Sequence, residues 1–323
     1  MLHLTNGDMA AERISAAGLP GDVLPWRDVL HEGPVPAGDD AALRAARAGF
    51  LGGGRSSRDS VLREMRARDA RLAAASVEDE VVLWFEPDLY DQLQLVQILD
   101  RLSRPDLDGV TVSAVESVEE MGALEENSAL ALYAARSPLT TGARRLGRRA
   151  WARFREPDPR AFEALAGERA LDLPFLAAAV LRHLEELPWT TDGLSRTERQ
   201  ALEAIEEAPL PARQAFLAAH HAREGRVFLG DLVFYSILDR LAAGERPLVR
   251  LDPGSANPDS RVEISEDGRG VLDGRADWIR LGGSDRWLGG VRLRGAEAEW
   301  RWDPTARRVT RSPGSPRDRG SAR

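Results

Sequence analysis

Residues 24–36, LPWRDVLHEGPVP, bring together side-chain types that can bind an anion and transfer a proton. The cluster comprises one tryptophan, one arginine, two carboxylates and one histidine, namely Trp26, Arg27, Asp28, His31 and Glu32. An arginine is suited to binding phosphate or carboxylate, and carboxylates and imidazole act as general acids and bases. The Gly33-Pro34 step restricts the loop that follows. We therefore take Asp28, His31 and Glu32 as catalytic candidates, and Trp26 and Arg27 as ligand-binding candidates.

A structural role for the same residues stays open. Arg27 and Asp28 follow an apolar segment, where a lone buried charge is costly, so both side chains can instead pair with opposite charges. The sequence does not distinguish a functional site from a loop whose charged residues only stabilise its structure.

The composition excludes several kinds of chemistry. The chain has no cysteine, and all 44 basic residues are arginine because no lysine occurs. Thiolate nucleophiles, cysteine metal sites, Schiff bases and a lysine-bearing phosphate loop are therefore excluded. Only five histidines occur, without an HExxH pattern, so we expect no histidine-rich metal centre, and the sequence leaves the cofactor unknown.

Charge and hydropathy indicate a cytoplasmic protein without a membrane anchor. The net charge is −8, and no apolar run approaches the length that a membrane span needs. Residues 305–323 are rich in Arg, Ser, Pro and Gly, which predicts a disordered basic tail.

The first third of the chain alternates between strand and helix patterns. The apolar segments LHLT, DVLPW, EVVLWF and VTVSAV are separated by helical segments, which predicts a parallel, Rossmann-like α/β domain over residues 1–135. Residues 88–102 form the most periodic of these helices.

Polar residues follow each predicted strand, and the carboxyl ends of parallel strands share one edge of a sheet. Asn6, Gly7 and Asp8 follow the first strand, and Glu86 follows the third, so we add these four residues to the ligand-binding candidates. A glycine at this point also lets a phosphate reach a helix N-terminus. Three acidic residues near this edge can instead cap the helix that follows them, and we favour this alternative for Asp8, Asp88 and Asp91. Glu116 follows the fourth strand.

The remainder of the chain predicts a helical connector over residues 136–192 and an α+β domain over residues 193–304. The second domain opens with a capping box, Ser195 and Glu198, and continues with three helices and a β-hairpin, the outline of a winged helix. Its third helix carries Asp231 and Asp239, which would repel DNA, so we expect the domain to serve in packing or protein contact rather than in DNA binding.

Several motifs resemble a known family. The segments LHLTNGDMAAERI, GDVLPWRDVLHEGPVP and VVLWFEPDLYDQLQLVQIL are similar to N-terminal motifs of the bacterial domain of unknown function 1835 family. The segments LSRTERQALEAI and FLGDLVFYSILDRLAAGERPL resemble the C-terminal part of its longer members. The resemblance implies a bacterial protein with this two-part layout, and it brings no activity, cofactor or catalytic residue.

Three functional hypotheses follow, and whether the protein is an enzyme stays open. The first is a binding protein for an anionic small molecule, phosphate- or nucleotide-containing, at the carboxyl edge of the sheet. The second is a metal-dependent hydrolase or phosphotransferase that holds a divalent ion through Asp8, Asp28, Glu32 and Glu86. The third is a DNA-binding transcription regulator.

Overall fold

The computed structural model describes residues 1–53, 56–77, 80–107, 109–115, 120–168, 172–296 and 298–312. Within these ranges, no helix combines the length and the apolar character needed to cross a membrane. The chain divides into two compact units, which are described separately below. The first unit comprises residues 1–180 and 289–291, and the second comprises residues 181–288 and 292–323.

The first unit contains a mixed, mostly parallel sheet. Its strands are β1 (Leu2–Thr5), β2 (Asp22–Pro25), β4 (Val81–Trp84), β5 (Val112–Val115) and β6 (Ser137–Pro138), and a separate short strand is β3 (Gly33–Pro34). The strand order is β2-β1-β4-β5-β6. The first four strands are mutually parallel, and β6 pairs antiparallel with β5. The predicted α/β class is confirmed, but the sheet is not purely parallel because its last strand is reversed.

The helices of the first unit begin and end as follows: α1 (Asp8–Ala16), α2 (Asp40–Leu51), α3 (Arg58–Ala73), α4 (Leu89–Leu102), α5 (Glu126–Ala134), α6 (Thr141–Phe154), α7 (Arg160–Glu163) and α8 (Leu176–Leu184), the last of which continues into the second unit. Helices α2 and α4 start at aspartates, Asp39 and Asp88, whose side chains accept backbone N–H groups of the first turn. Both N-termini therefore follow ordinary capping chemistry.

Buried strands and two helical layers form the core. On one face of the sheet, Ala10 and Ile14 of α1 pack with Val82 and Trp84 of β4. On the other face lies α4, in which almost every residue is buried. Gly147 of α6 allows close packing there, because a Cβ at this position would lie 2.5 Å from the Leu99 Cβ atom. A continuous apolar strand between two helical layers is the expected arrangement for a sheet that is covered on both faces.

The second unit is α+β. Its helices are α9 (Arg196–Ala204), α10 (Ala212–Phe216), α11 (Asp231–Ala242), α12 (Glu266–Leu272) and α13 (Trp278–Gly282). Its strands are β7 (Leu210–Pro211), β8 (Val249–Asp252), β9 (Arg261–Ile264), β10 (Asp285–Gly289), β11 (Val291–Arg294), β12 (Trp300–Asp303) and β13 (Arg308–Arg311), although residues 289–291 belong to the first unit. Strands β7, β9 and β8 form one antiparallel sheet, and β12 pairs antiparallel with β13. The capping box of Ser195 and Glu198 is present at the start of α9.

Two predicted boundaries differ from the structure. Residues 136–180 belong to the first unit and residues 181–192 to the second, so the predicted connector is divided between the two units. The predicted disordered tail from residue 305 is ordered up to residue 312, because Val309 in β13 is buried and pairs with Trp302. Residues 313–323 of that tail lie outside the described residues.

Candidate functional site

The carboxyl ends of β1 and β4 form the centre of the candidate site. The two strands pair in parallel, so that Thr5 lies beside Trp84, and the chain then continues as Asn6–Gly7 and as Phe85–Glu86. Helix α1 leaves β1 on one face of the sheet, whereas α4 follows β4 on the other. Such a divergence of connections opens a crevice at the edge of a parallel sheet.

The amide of Asn6 joins the two strand ends. Its Nδ2 atom donates to Asp91 Oδ1 over 2.9 Å and to Glu86 Oε1 over 3.3 Å. Glu86 Oε1 also accepts the backbone N–H of Met121 over 2.9 Å, and the Glu86 N–H donates to Asp91 Oδ2 over 2.5 Å. The two strand ends are therefore joined by a connected polar network, in which the predicted candidates Asn6 and Glu86 lie together.

Three carboxyl groups of this network have raised pKa values. Burial is the largest cause in each case, and it raises the pKa of Glu86, brings that of Asp88 to about 7, and raises that of Asp91 well above its ordinary value. Mutual repulsion adds to burial, since Glu86 raises the pKa of Asp88 and both raise that of Asp91. The cluster therefore retains protons at a pH at which exposed carboxyls are ionised.

This burial makes stability depend on pH. A carboxyl whose pKa is higher in the folded protein contributes stability at low pH and loses that contribution as the pH rises through the folded pKa. Asp88→Asn removes the charge and keeps an oxygen for the N–H of Asp91, which the Asp88 side chain accepts over 3.1 Å. We expect the variant to match the wild type near pH 4 and to be more stable at pH 8, by about 1.4 kcal/mol for each unit of raised pKa.

Urea unfolding at pH 4, 6 and 8 measures this difference. Asp39→Asn is the matched control, because Asp39 caps α2 in the same way at an exposed position. If the free energies of unfolding of Asp88→Asn and the wild type differed by the same amount at all three pH values, the expected effect would be contradicted.

Arg27 and Asp8 form an exposed ion pair at the start of α1. Arg27 Nε donates to Asp8 Oδ1 over 2.8 Å, and the side chains are 52% and 61% exposed. The hydrogen bond that Arg27 donates to the Asp8 carboxylate raises the pKa of Arg27. Gly7, the residue before the helix, has open space where a side chain would lie. This corner is therefore accessible, it offers an arginine in an exposed ion pair, and it adjoins helix N–H groups.

The next residue, Asp28, points the opposite way into the protein. Its Oδ1 atom accepts Nε of Arg47 over 2.9 Å, and both side chains are only 1% exposed. Arg47 also donates to the carbonyls of Val29 and Glu32, over 2.8 and 2.7 Å. The Asp28–Arg47 pair therefore holds the whole loop in place, and these contacts support a structural role for Asp28.

Trp26 is fully buried and is held by α4. Its Nε1 atom donates to Gln97 Oε1 over 2.7 Å, and the guanidinium of Arg68 lies 3.9 Å from the indole ring centroid. Because no part of the Trp26 side chain reaches the surface, these contacts position the loop rather than a ligand.

His31 and Glu32 are also buried, at 3% and 6% exposed. The His31 ring meets the edge of the Tyr90 ring, with centroids 5.9 Å apart. The structure therefore brings Arg27, Gly7 and Asp8 to the surface, and it turns Trp26, Asp28, His31 and Glu32 inward. A catalytic role for Asp28, His31 and Glu32 stays a prediction.

The described residues do not assemble a metal site at this edge. Asp8 and Asp28 are each paired with an arginine, and no group of three or more His, Asp or Glu side chains in the described ranges is arranged to hold an ion. Glu116 lies outside the described residues.

Two residues that shape the candidate site, Asp91 and Arg47, do not stand out in the sequence. The sequence predicts helix capping for Asp91, but its side chain accepts a hydrogen bond from the Asn6 amide instead, whereas Asp88 is the cap as predicted. Arg47 lies on a helix among other arginines. The only signal for either residue is a charged side chain on the apolar face of a helix.

A second polar depression lies beside the C-terminal end of α4. Its volume is about 310 Å³, and its lining includes four arginines and three aspartates: Arg44, Arg66, Arg101, Arg104, Asp40, Asp69 and Asp106. Arg104 and Asp40 form one of its ion pairs, at 2.6 Å. Because the opposite charges largely cancel, this depression offers a ligand less net charge than its arginines suggest.

No protein-family model matches this chain, and no curated protein is significantly similar to it in sequence. The resemblance to the domain of unknown function 1835 family therefore stays an expectation from the motifs.

Proposed function

We propose that the first unit binds a phosphate-containing small molecule of the nucleotide class at the carboxyl edge of its sheet. The observation that carries the proposal is the meeting of Arg27 with the uncapped start of α1 at Gly7. Helix N–H groups and an arginine are the two features that most often bind phosphate, and both are accessible here.

The Asp8 carboxylate does not prevent this binding. An exposed ion pair contributes only about 0–1 kcal/mol, so a phosphate dianion can displace Asp8 from Arg27 at little cost. The guanidinium can then form charge-assisted hydrogen bonds with the phosphate while the N–H groups of the first turn face the same anion.

The fold supports the same location. We propose that the α/β sheet is Rossmann-like, with the ligand at the β1–β4 crevice where the connections diverge. The Asn6–Glu86 network then faces the part of the ligand next to the phosphate, and its carboxylate and amide are suited to sugar hydroxyl groups.

Arg27→Ala tests the phosphate site. Loss of hydrogen bonds to a charged group costs about 1.5–3 kcal/mol, so we expect the Kd of a nucleoside phosphate to rise about 10- to 100-fold in calorimetric titrations of the full chain. Arg160→Ala is the matched control, because Arg160 is also 52% exposed and pairs with a carboxylate, that of Asp158. An equal loss of affinity in both variants, or no loss of affinity in Arg27→Ala, would contradict the proposal.

The metal-dependent hydrolase hypothesis has less support than the binding hypothesis. Its four proposed ligands are distributed between an exposed pair at Asp8, a buried pair at Asp28 and the Asn6 network at Glu86, with Glu32 buried in the loop. Two of the four would have to leave arginine partners before they could bind an ion.

We also propose that residues 193–264 form a winged helix that contacts protein. The order α9, β7, α10, α11, β8, β9 and the sheet order β7-β9-β8 support this fold. The exposed residues of α11 include Asp231, Leu232 and Asp239, and Leu232 is 56% exposed. An acidic and partly apolar face favours a protein partner over the DNA backbone. The same two-part layout is consistent with membership of the domain of unknown function 1835 family.

A further inference from the structure

A small apolar pocket lies beside the crevice, on the α4 face of the sheet. Its volume is about 190 Å³, and its apolar lining includes Leu83, Phe85, Leu95, Leu139, Leu173 and Phe175. A pocket for a whole drug-sized ligand measures roughly 300–1,000 Å³, so this one accommodates a single ring system. The rest of such a ligand would have to lie outside the pocket.

The pocket adjoins the candidate site through Gln92. This side chain lines the pocket, and its Nε2 atom donates to the Glu86 carbonyl over 2.8 Å. Phe85, another lining residue, directly precedes Glu86. A ligand that occupies the crevice at Glu86 therefore has an apolar space next to it.

One carboxylate stands at the rim of the pocket. Asp172 Oδ1 accepts the Thr140 hydroxyl over 2.6 Å, and both residues line the pocket. The position of Asp172 depends on Gly142, since a Cβ there would collide with the carboxylate. The rim therefore carries an exposed hydrogen-bond acceptor that Thr140 holds in position, beside a wall that is mostly apolar.

The distance along the sheet edge matches one extended ligand. Arg27 follows β2, and the pocket is lined by residues of β4, β5 and β6, so along the sheet edge the two are two to four strand spacings apart, about 10–19 Å. The near side of the pocket, at β4, is within the reach of an extended nucleoside phosphate, with its phosphate at one end and its planar base at the other.

We infer that the pocket receives the base of the nucleotide, and that Asp172 selects a base with an exocyclic amino group. The inference rests on the proposed function, and it specifies the ligand class of that site. The base would stack among the phenylalanine and leucine side chains, while its amino group donates to the carboxylate. A keto group at the same position is a hydrogen-bond acceptor, as the Asp172 carboxylate is, so the two would form no hydrogen bond.

Titration of the full chain with adenosine 5′-monophosphate, inosine 5′-monophosphate and adenosine tests the inference. We expect the amino-bearing nucleotide to bind the wild type about tenfold or more tightly than the keto nucleotide. Asp172→Asn should remove this preference, because an amide can both donate and accept. Ala114→Leu should fill the pocket and weaken both nucleotides about tenfold or more, since Ala114 lines it.

The controls separate this inference from the proposed function. Ala131→Leu makes the same change at an exposed helical position and should bind like the wild type, and circular dichroism checks that each variant folds. If Arg27→Ala weakens nucleotide binding while Ala114→Leu and Asp172→Asn do not, the phosphate site stands and the base pocket is wrong. If adenosine depends on Asp172 while no ligand depends on Arg27, the phosphate site is wrong and the pocket stands. Absence of binding by all three ligands overturns both.

Discussion

Replacement of Asp28 by alanine is expected to lower the free energy of unfolding by about 3–5 kcal/mol, because it leaves the Arg47 guanidinium buried without its counter-charge. Arg47 is 1% exposed and also binds the carbonyls of Val29 and Glu32. A movement of Arg47 toward solvent would therefore release the loop as well. Urea unfolding measures the loss, and hydrogen exchange of residues 26–36 shows whether the loop opens.

Asp8→Ala is the matched control for this variant. It also removes an aspartate from an arginine pair, but the Arg27–Asp8 pair is more than half exposed, and we expect a loss below about 1 kcal/mol. A double variant, Asp28→Leu with Arg47→Met, removes both buried charges and should recover the part of the loss that comes from the unpaired guanidinium, but not the part that comes from the Val29 and Glu32 carbonyls, which lose their donor. A cost for Asp28→Ala as small as that for Asp8→Ala would contradict the structural role and return Asp28 to the catalytic candidates.

Replacement of Arg182 by methionine is expected to destabilise the second unit by a similar amount, about 3–5 kcal/mol. The guanidinium bridges two buried carboxylates, with Nη1 2.7 Å from Glu186 Oε1 and Nη2 2.6 Å from Glu224 Oε1. It also donates to the Thr197 hydroxyl over 2.9 Å. The glutamate side chains are only 5% and 2% exposed, so neither can recover the lost interaction from water.

The pH dependence of the wild type provides a second measure of this cluster. Burial by itself raises the pKa of Glu186, but the charges of Arg182 and Arg286 outweigh it, and the net pKa lies well below the ordinary range. A carboxyl with a lowered folded pKa contributes stability above its unfolded pKa and loses it as the pH falls. The wild type should therefore lose stability in this unit as the pH falls below about 5.

Arg275→Met is the control within the same unit. Arg275 pairs with Asp273 at the surface, where the side chains are 68% and 52% exposed, and its loss should leave the urea midpoint nearly unchanged. Arg182→Lys keeps the charge but not the fork of donors that reaches both glutamates, so an intermediate loss is expected. If Arg182→Met unfolds at the same urea concentration as Arg275→Met, the bridging role is wrong.

The order of helices and strands could be predicted because the signals are local. The apolar runs of β1, β4 and β5 are buried on both faces, and the helices between them show clear periodicity and caps. The strand β13 was missed because its surroundings are rich in arginine, and composition conceals the pairing of Val309 with Trp302. The reversed direction of β6 depends on two residues that carry no signal of direction.

The position of the candidate site could be predicted from the sequence, but the role of each of its residues could not. Strand ends place Asn6 and Glu86 at one edge, and the structure brings these two together. The sequence could not show that adjacent residues would separate, with Arg27 facing outward and Asp28 inward. That outcome depends on Arg47, which lies 19 residues from Asp28, and on glutamines of α4 that lie further still. The tertiary structure determines which of these residues pair, and their spacing in the sequence does not.

The anchoring of the loop on both sides of Arg27 has a consequence for affinity. Trp26 is held by Gln97, and Asp28 is held through its side chain by Arg47 and through its carbonyl by Gln94. Ordering a backbone residue costs about 1–2 kcal/mol of conformational entropy, and here the protein meets that cost when it folds. An anion bound at Arg27, as proposed above, would have only the Arg27 side chain to immobilise, so more of its interaction energy would remain as binding affinity.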